Sequence, residues 1–143
     1  MSERVGNSIP PPLRFELGAE QGTDQLCRAV LLATTDDDGS PRVAVLSYGE
    51  VRPVDDRRLT IAVNAGTRTH HNMQAARDAT LWCVLDGAAY SLRGRVSASP
   101  GPAAAPERGS GRFGTFELAV EEVLRDFYPE APMMSGPTYR RLG

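Results

Sequence analysis

The chain has 143 residues, of which 41% are hydrophobic and 24% are charged, and its formal net charge is −2. These values are typical of one globular domain with its own core, and the net charge gives no electrostatic case for binding nucleic acid, which needs a basic face. The sequence contains no lysine, so a Schiff-base lysine, a lysine general base and a P-loop lysine are excluded as well.

The two cysteines do not form a metal-binding pattern or a disulfide framework. Cys27 and Cys83 lie in apolar runs, so we expect small buried thiols. No apolar run is long enough to cross a membrane, and the N-terminus lacks the pattern of a signal peptide. We therefore expect a cytoplasmic protein.

The N-terminal third of the chain is predicted to contain an arm and two strands. Residues 1–12 are polar and then proline-rich, so we expect a flexible arm, followed by a single domain over residues 13–143. Apolar residues on both faces of Ala29–Thr35 predict the first strand. The acidic, glycine-containing segment Asp36–Ser40 is typical of a hairpin turn, and Pro41–Val51 is predicted as the second strand.

A third strand leads into a helix through a turn of small residues. Leu59–Val63 alternates between apolar and polar positions, and Thr67 is predicted to cap a helix that ends near Asp78. The first turn of a helix presents N–H groups without intrahelical partners and the positive end of the dipole. Arg68 adds a planar donor group suited to phosphate. The pattern predicts either a capped helix or an anion site at this corner.

Two further strands complete the predicted core. Leu81–Leu85 and Ala89–Ser97 read as strands, and Asp86–Gly87 between them is a strong two-residue hairpin signal. Antiparallel neighbours with short turns favour a mainly β fold, and a small barrel removes the open edges of such a sheet.

The C-terminal part is predicted to contain a linker, a helix and an irregular tail. Residues 99–114 are rich in Pro, Ala and Gly, and Pro129 ends the helix that Thr115 is expected to cap. The apolar stripe of this predicted helix consists of Phe116, Val120, Val123, Leu124 and Phe127. The apolar tail residues Met133, Met134 and Tyr139 are expected either to cover a partner's cofactor pocket or to pad the barrel surface.

Hydrolytic and metal chemistry have little support in the sequence. His70 and His71 are adjacent on one predicted helix, so they cannot face one metal as an i, i+4 pair would. No Gly-x-Ser-x-Gly elbow is present. We predict no metal site, and we expect exposed or half-buried helix histidines.

Five segments, taken in order, resemble the pyridoxamine 5′-phosphate oxidase-like flavin-binding split barrels. The segments are Ala33–Val43, Leu59–Val63, Gly66–Met73, Ala79–Leu85 and Leu92–Val96. The resemblance implies a mainly β split barrel with Greek-key-like antiparallel strands, a helix between the third and fourth strands and, from the pattern above, a C-terminal helix. It also implies a homodimer that binds flavin mononucleotide (FMN) at the subunit interface.

The same resemblance implies a set of cofactor-binding residues. In such proteins a Ser/Thr-Arg/Lys pair at the start of this helix holds the flavin phosphate. The implied phosphate-binding residues are Thr67, Arg68, Thr69 and Asn72, where Thr69 occupies a position that is often Lys. The residues implied along the flavin ring are Leu46, Ser47 and Tyr48, and those implied at the end of the third strand are Ala62, Val63 and Asn64.

The activity implied is that of an FMN-dependent oxidoreductase acting on a small molecule, with no catalytic residue assigned. The authentic oxidase has Arg and Lys on the second strand where this chain has Ala44 and Gly49, so vitamin B6 is not implied as the substrate. A deazaflavin-dependent reductase and a non-catalytic flavin- or haem-binding protein stay open as alternatives.

Overall fold

The computed structural model describes residues 1–18, 26–98 and 113–140, without the side chains of residues 26 and 27. Its elements in chain order are β1 (Ser2–Gly6), α1 (Pro11–Glu16), β2 (Leu26–Thr35), β3 (Pro41–Ser47), the 3₁₀ turn η1 (Tyr48–Glu50), β4 (Val51–Pro53), β5 (Arg58–Asn64), α2 (Arg68–Gln74), β6 (Asp78–Leu85), β7 (Ala88–Ala98), β8 (Phe113–Asp126) and β9 (Thr138–Arg140). The predicted burial of Cys27 and nearly all of the predicted 99–114 linker lie outside this description.

The strands form one antiparallel sheet that curls into a split barrel. The hydrogen-bonded order is β3-β2-β6-β7-β8-β5-β4, with β1 added to β8 and β9 added to β2. Because η1 connects β3 directly to β4, the two ends of this order are covalently adjacent. The mainly β split barrel and the helix between the predicted third and fourth strands are therefore confirmed.

The turn and the strand that follow β6 match their local sequence signals. Asp86 and Gly87 have φ values of 49° and 81°, the left-handed conformation that a tight two-residue hairpin requires. In β7, Leu92, Gly94 and Val96 point inward and are buried, as their alternation predicts. The core is apolar and includes Cys83, a buried thiol as predicted.

The predicted C-terminal helix is wrong, because this segment forms β8. In this strand Phe116, Leu118 and Val120 are buried at alternate positions, which is the period of a strand rather than of a helix. The residue expected to cap the helix, Thr115, instead pairs with Ala62 of β5. β8 pairs with β7 along one edge and with β5 and then β1 along the other.

A β-bulge explains why this strand resembles a helix in sequence. Across the sheet, Arg93 pairs with Glu122 and Gly94 with Val120, so Glu121 is an additional residue in β8. The extra residue shifts the alternation by one position, and the next fully buried side chain is Val123. Phe116, Val120 and Val123 are therefore spaced by four and then by three residues, and this spacing imitates the apolar stripe of a helix.

The expected flexible arm over residues 1–12 is also corrected. Residues 2–4 of β1 pair with residues 124–126 of β8. Ile9 is buried, and its N–H donates a hydrogen bond to the carbonyl of Asp56 at 2.7 Å. The four residues of β1 that precede Gly6 are exposed, so an apolar alternation could not reveal this strand.

The helices of the described residues are short, and none is long and apolar enough to span a membrane. α2 begins immediately after Thr67 as predicted, but it ends at Gln74 rather than near Asp78. The chain leaves the helical conformation at Ala76, whose φ is 54°. In the tail, Tyr139 lies in β9, whereas Met134 is 92% exposed.

Candidate functional site

The corner between β5 and α2, here named the α2 corner, runs from Asn64 to Arg68 and is built by a turn and a side-chain cap. Gly66 takes a φ of 82°, which favours glycine, and allows the chain to turn into the helix. The hydroxyl of Thr67 donates a hydrogen bond to the carbonyl of Asn64 at 2.8 Å. The same hydroxyl oxygen accepts one from the N–H of His70 at 3.1 Å, which confirms the predicted cap. Arg68 in the first turn is exposed.

Asn72, one turn further along α2, binds the β2–β3 hairpin. Its side chain is 2% exposed, and Nδ2 donates to Thr34 Oγ1 at 3.1 Å and to Asp36 Oδ1 at 2.7 Å. Among the described residues its Oδ1 is buried without a hydrogen-bond partner. The donors of Asn72 are thus occupied by protein oxygens, and the group it has left to offer is an acceptor.

The β2–β3 turn carries two carboxylates that bind cations on neighbouring elements. Asp36 accepts two hydrogen bonds from Arg42, at 2.8 and 3.0 Å, and its carboxyl group is mostly buried. Asp37 Oδ2 lies 2.8 Å from His71 Nε2, and Asp37 Oδ1 accepts from Arg77 at 3.1 Å. The turn was predicted from its residues, but these contacts with the α2 region were not.

These contacts shift the acidity of the turn. The hydrogen bond from Arg42, followed by that from Asn72, lowers the pKa of Asp36 from 3.8 to about 2, and the positive charge of Arg68 contributes in the same direction. The pKa of Asp37 is lowered chiefly by its hydrogen bond with His71. Both carboxylates are therefore ionised at neutral pH and make the α2 corner less positive than its arginines suggest.

The three residues expected along the flavin ring lie at the bend between β3 and β4, and the η1 turn of this bend packs beside β5, the strand that leads into α2. Leu46, Ser47 and Tyr48 are buried at the bend between β3 and β4. Ser47 Oγ lies 3.1 Å from Glu50 Oε1 and donates to it, and the Tyr48 hydroxyl donates to the carbonyl of Val84 at 3.3 Å. Their places in the binding of a cofactor stay a prediction.

Comparison with protein families identifies the chain. The protein-family model described as pyridoxamine 5′-phosphate oxidase matches residues 23–127 of the chain. The chain belongs to the pyridoxamine 5′-phosphate oxidase family. No curated protein matches the sequence significantly.

Solved structures of low sequence identity share the fold of this oxidase-family chain. A variant of HupZ from Group A Streptococcus has a TM-score of 0.61 at 16% identity, covering 82% of this chain and 98% of that one. A candidate pyridoxamine 5′-phosphate oxidase from Lactobacillus delbrueckii has a TM-score of 0.61 at 18% identity, with coverages of 85% and 98%. The conserved hypothetical protein Rv2991 from Mycobacterium tuberculosis has a TM-score of 0.60 at 11% identity, with coverages of 94% and 97%.

For an oxidase-family protein, the α2 corner offers donors that fit a phosphate group. Arg68 is exposed, and the first backbone N–H groups of α2 precede the helical hydrogen-bond pattern. Thr67 already uses its hydroxyl on Asn64 and His70, so its role here is to hold the start of the helix. Asn64 is exposed beside Thr67 and completes the set of accessible polar groups.

The remaining predicted residues are buried. Thr69 is 8% exposed, Ala62 and Val63 are almost fully buried, and of these three Val63 belongs to the hydrophobic core cluster. The structure thus brings together Asn64, Thr67 and Arg68, and it assigns Asn72 a structural contact with the hairpin. Their roles in binding a cofactor stay a prediction.

Proposed function

We propose that this protein binds FMN at the α2 corner and acts as an FMN-dependent oxidoreductase on a small molecule. One observation carries the proposal: within the segment matched to the pyridoxamine 5′-phosphate oxidase family, Arg68 is exposed at the first turn of a helix that Thr67 caps. This is the place where the family resemblance implies a phosphate-binding pair, and a guanidinium with first-turn N–H groups suits a phosphate dianion.

The chain's own contribution is binding and orientation. A bound flavin supplies the hydride chemistry, and the protein supplies the position and electrostatics of the ring. Burial raises the pKa values of Tyr48 and Cys83 to about 12 each, so neither side chain is a proton acceptor at neutral pH. Arg68 would hold the phosphate, Thr67 would keep the helix start in place, and the Asp36 contact with Asn72 would fix α2 against the barrel.

The proposal includes a homodimer with the cofactor at the subunit interface. Support comes from β3, where Val43 and Val45 point outward with 60% and 66% of their surface exposed. Burying such neighbouring apolar side chains against a second copy would be favourable. Light scattering during size exclusion, with and without FMN, tests this expectation, and Val45→Glu should shift a dimer toward monomer.

The first experiment is the absorption spectrum of the purified protein and the mass of any released ligand. A flavin band supports the proposal, a deazaflavin or haem band favours one of the alternatives, and a colourless protein that also fails to take up added FMN contradicts it. Reduction by a nicotinamide donor and electron transfer to an acceptor then separate an enzyme from a non-catalytic binder.

The second experiment tests the proposed phosphate contact. Arg68→Ala should weaken FMN binding by about 1–3 kcal/mol, because a charge-assisted hydrogen bond is lost. Fluorescence titration of FMN measures the affinity, with riboflavin as a ligand that lacks the phosphate and should be insensitive to the change. Arg14→Ala, which removes an exposed arginine from α1, is the matched control. Equal FMN affinity in the Arg68 variant and wild type would refute this site.

A further inference from the structure

The segment Met133–Arg140, here named the C-terminal strap, crosses the end of the barrel opposite the α2 corner. At its start, the N–H of Met133 donates to the carbonyl of Gly87 at 2.9 Å. Near its end, the carbonyl of Pro137 accepts from the N–H of Ala29 at 2.9 Å, and β9 then pairs with β2. The strap is therefore held at both ends by backbone hydrogen bonds with its own barrel.

A cavity of about 400 Å³ lies beneath the strap. Its walls come from α1, β2, the β6–β7 hairpin and the strap itself. Val84, Leu85 and Met133 supply apolar surface, and the exposed Met134 stands among the lining residues. The volume is in the range of pockets that hold small organic molecules.

Among the lining residues that the structure describes, the charged groups are two carboxylates and one guanidinium. Arg28 forms an ion pair with Glu16, and its guanidinium carbon lies 4.7 Å from the centre of the Tyr48 ring. The other carboxylate is that of Asp86, so the part of the lining that the structure describes is net negative. An anionic ligand would have to compete with Glu16 for Arg28, whereas an ammonium group can approach the carboxylate of Asp86.

We propose that this cavity is a second small-molecule site, which takes an amine with a compact apolar body. The ammonium group would lie near the carboxylates of Asp86 and Glu16, and the apolar body would pack against Val84, Leu85 and the thioether of Met133. This site is independent of the FMN proposal. From Arg28 beside the cavity to Thr35 beside α2, β2 rises about 23 Å.

The test uses the methionine methyl groups of the full-length protein as local reporters. The chain has four methionines, and Met73 in α2 serves as an internal control far from the strap. In ¹³C-methyl NMR, 2-phenylethylamine should shift the Met133 and Met134 signals saturably and leave Met73 unchanged. The neutral analogue 2-phenylethanol should bind about fivefold more weakly or not at all, because it lacks the charge.

Variants then assign the charge dependence to the cavity. Asp86→Asn keeps a residue type that tolerates the left-handed conformation of this turn, and it should weaken amine binding about fivefold. Glu16→Gln is the second variant, and the exposed Asp78→Asn at the start of β6 is the matched control. Equal binding of amine and alcohol, no saturable shift, or an unaffected Asp86 variant would each refute the proposal.

The outcome does not depend on flavin. Arg68→Ala should leave amine binding at its wild-type strength, since Arg68 lies at the other end of the barrel. A protein that binds no FMN but binds the amine refutes only the proposed function. A protein that binds FMN but shows no methionine shift refutes only the cavity site.

Discussion

At the α2 end of the barrel, charged and polar side chains fix the β2–β3 turn against the helix, whereas at the strap end backbone hydrogen bonds and close packing hold the tail. Asp36 and Asp37 carry the contacts at the first end. At the second end, a Cβ on Gly87 would lie 3.0 Å from Pro132, and a Cβ on Gly136 would lie 3.0 Å from Val84. The hairpin at one end is thus fixed by polar side-chain contacts, and the tail at the other end by backbone hydrogen bonds and packing.

The largest expected effect comes from a substitution in the β7–β8 pairing, which both ends of the barrel share. A Cβ on Gly94 would overlap the carbonyl of Ala119 at the β-bulge, where β7 and β8 pair. Gly94→Ala should therefore lower the free energy of unfolding by about 3 kcal/mol or more. Urea denaturation measures the loss, with the exposed Ser97→Ala in the same strand as control. Wild-type stability in this variant would show that the backbone can yield at the bulge.

A change confined to the α2 end should cost less. Asn72→Ala removes the donors to Thr34 and Asp36 and leaves two partly buried oxygens without them, which should lower the free energy of unfolding by about 1–3 kcal/mol. The exposed Gln74→Ala in the same helix is the control. In methyl NMR we expect the Met73 signal to move and the Met133 signal to stay. Disturbance of both signals would contradict the independence of the two ends.

The corresponding change at the strap end is Gly87→Ala. Gly87 has a φ of 81°, and an alanine there should cost about 1–2 kcal/mol in backbone strain, with a further loss from contact with Pro132. Gly39→Ala is a matched control, because Gly39 has a φ of 87° and no neighbour within 4 Å of an added Cβ. Urea denaturation of the two variants should show the larger loss for Gly87. An equal loss would mean that the Pro132 contact is relieved without cost.

The smallest expected effect is the pH dependence of stability that Asp36 contributes at the α2 end. Because folding lowers the pKa of Asp36 from 3.8 to about 2, its contribution to stability is fully present above the unfolded value and is lost as the pH falls toward the folded one. Asp36→Asn should therefore be less stable than wild type near neutral pH, and the difference should shrink between about pH 4 and about pH 2. Thermal unfolding across this range measures it. A difference that stays constant on acidification would contradict the assigned role of the carboxylate.

Elements with a complete local signal could be predicted from the sequence. The alternation of β7, the Asp86–Gly87 turn and the Thr67 cap each depend on a few consecutive residues. The prediction for β8 is wrong because the bulge at Glu121 shifts the alternation of buried residues. β1 could not be predicted, because it forms by pairing with the edge of β8 and has no apolar pattern of its own.

The candidate site was predictable only in part, for a related reason. Thr67 and Arg68 are placed by the local turn and cap, so their position followed from the sequence. The contacts of Asn72 join residues 36 and 38 positions apart, and no local pattern encodes them. The sequence predicts one continuous strand through Leu46, Ser47 and Tyr48, but β3 ends at Ser47 and η1 bends the chain there, with all three residues buried.

The position of β8 in the sheet also determines when the barrel can be completed during synthesis. β5 and β7 each pair with β8, yet residues 99–112 must be translated before its first residue appears. Throughout that interval the nascent chain carries two strands that each lack a neighbour, and open strand edges promote association with other chains. Folding from the N-terminus onward therefore cannot close this barrel before the last long strand is made.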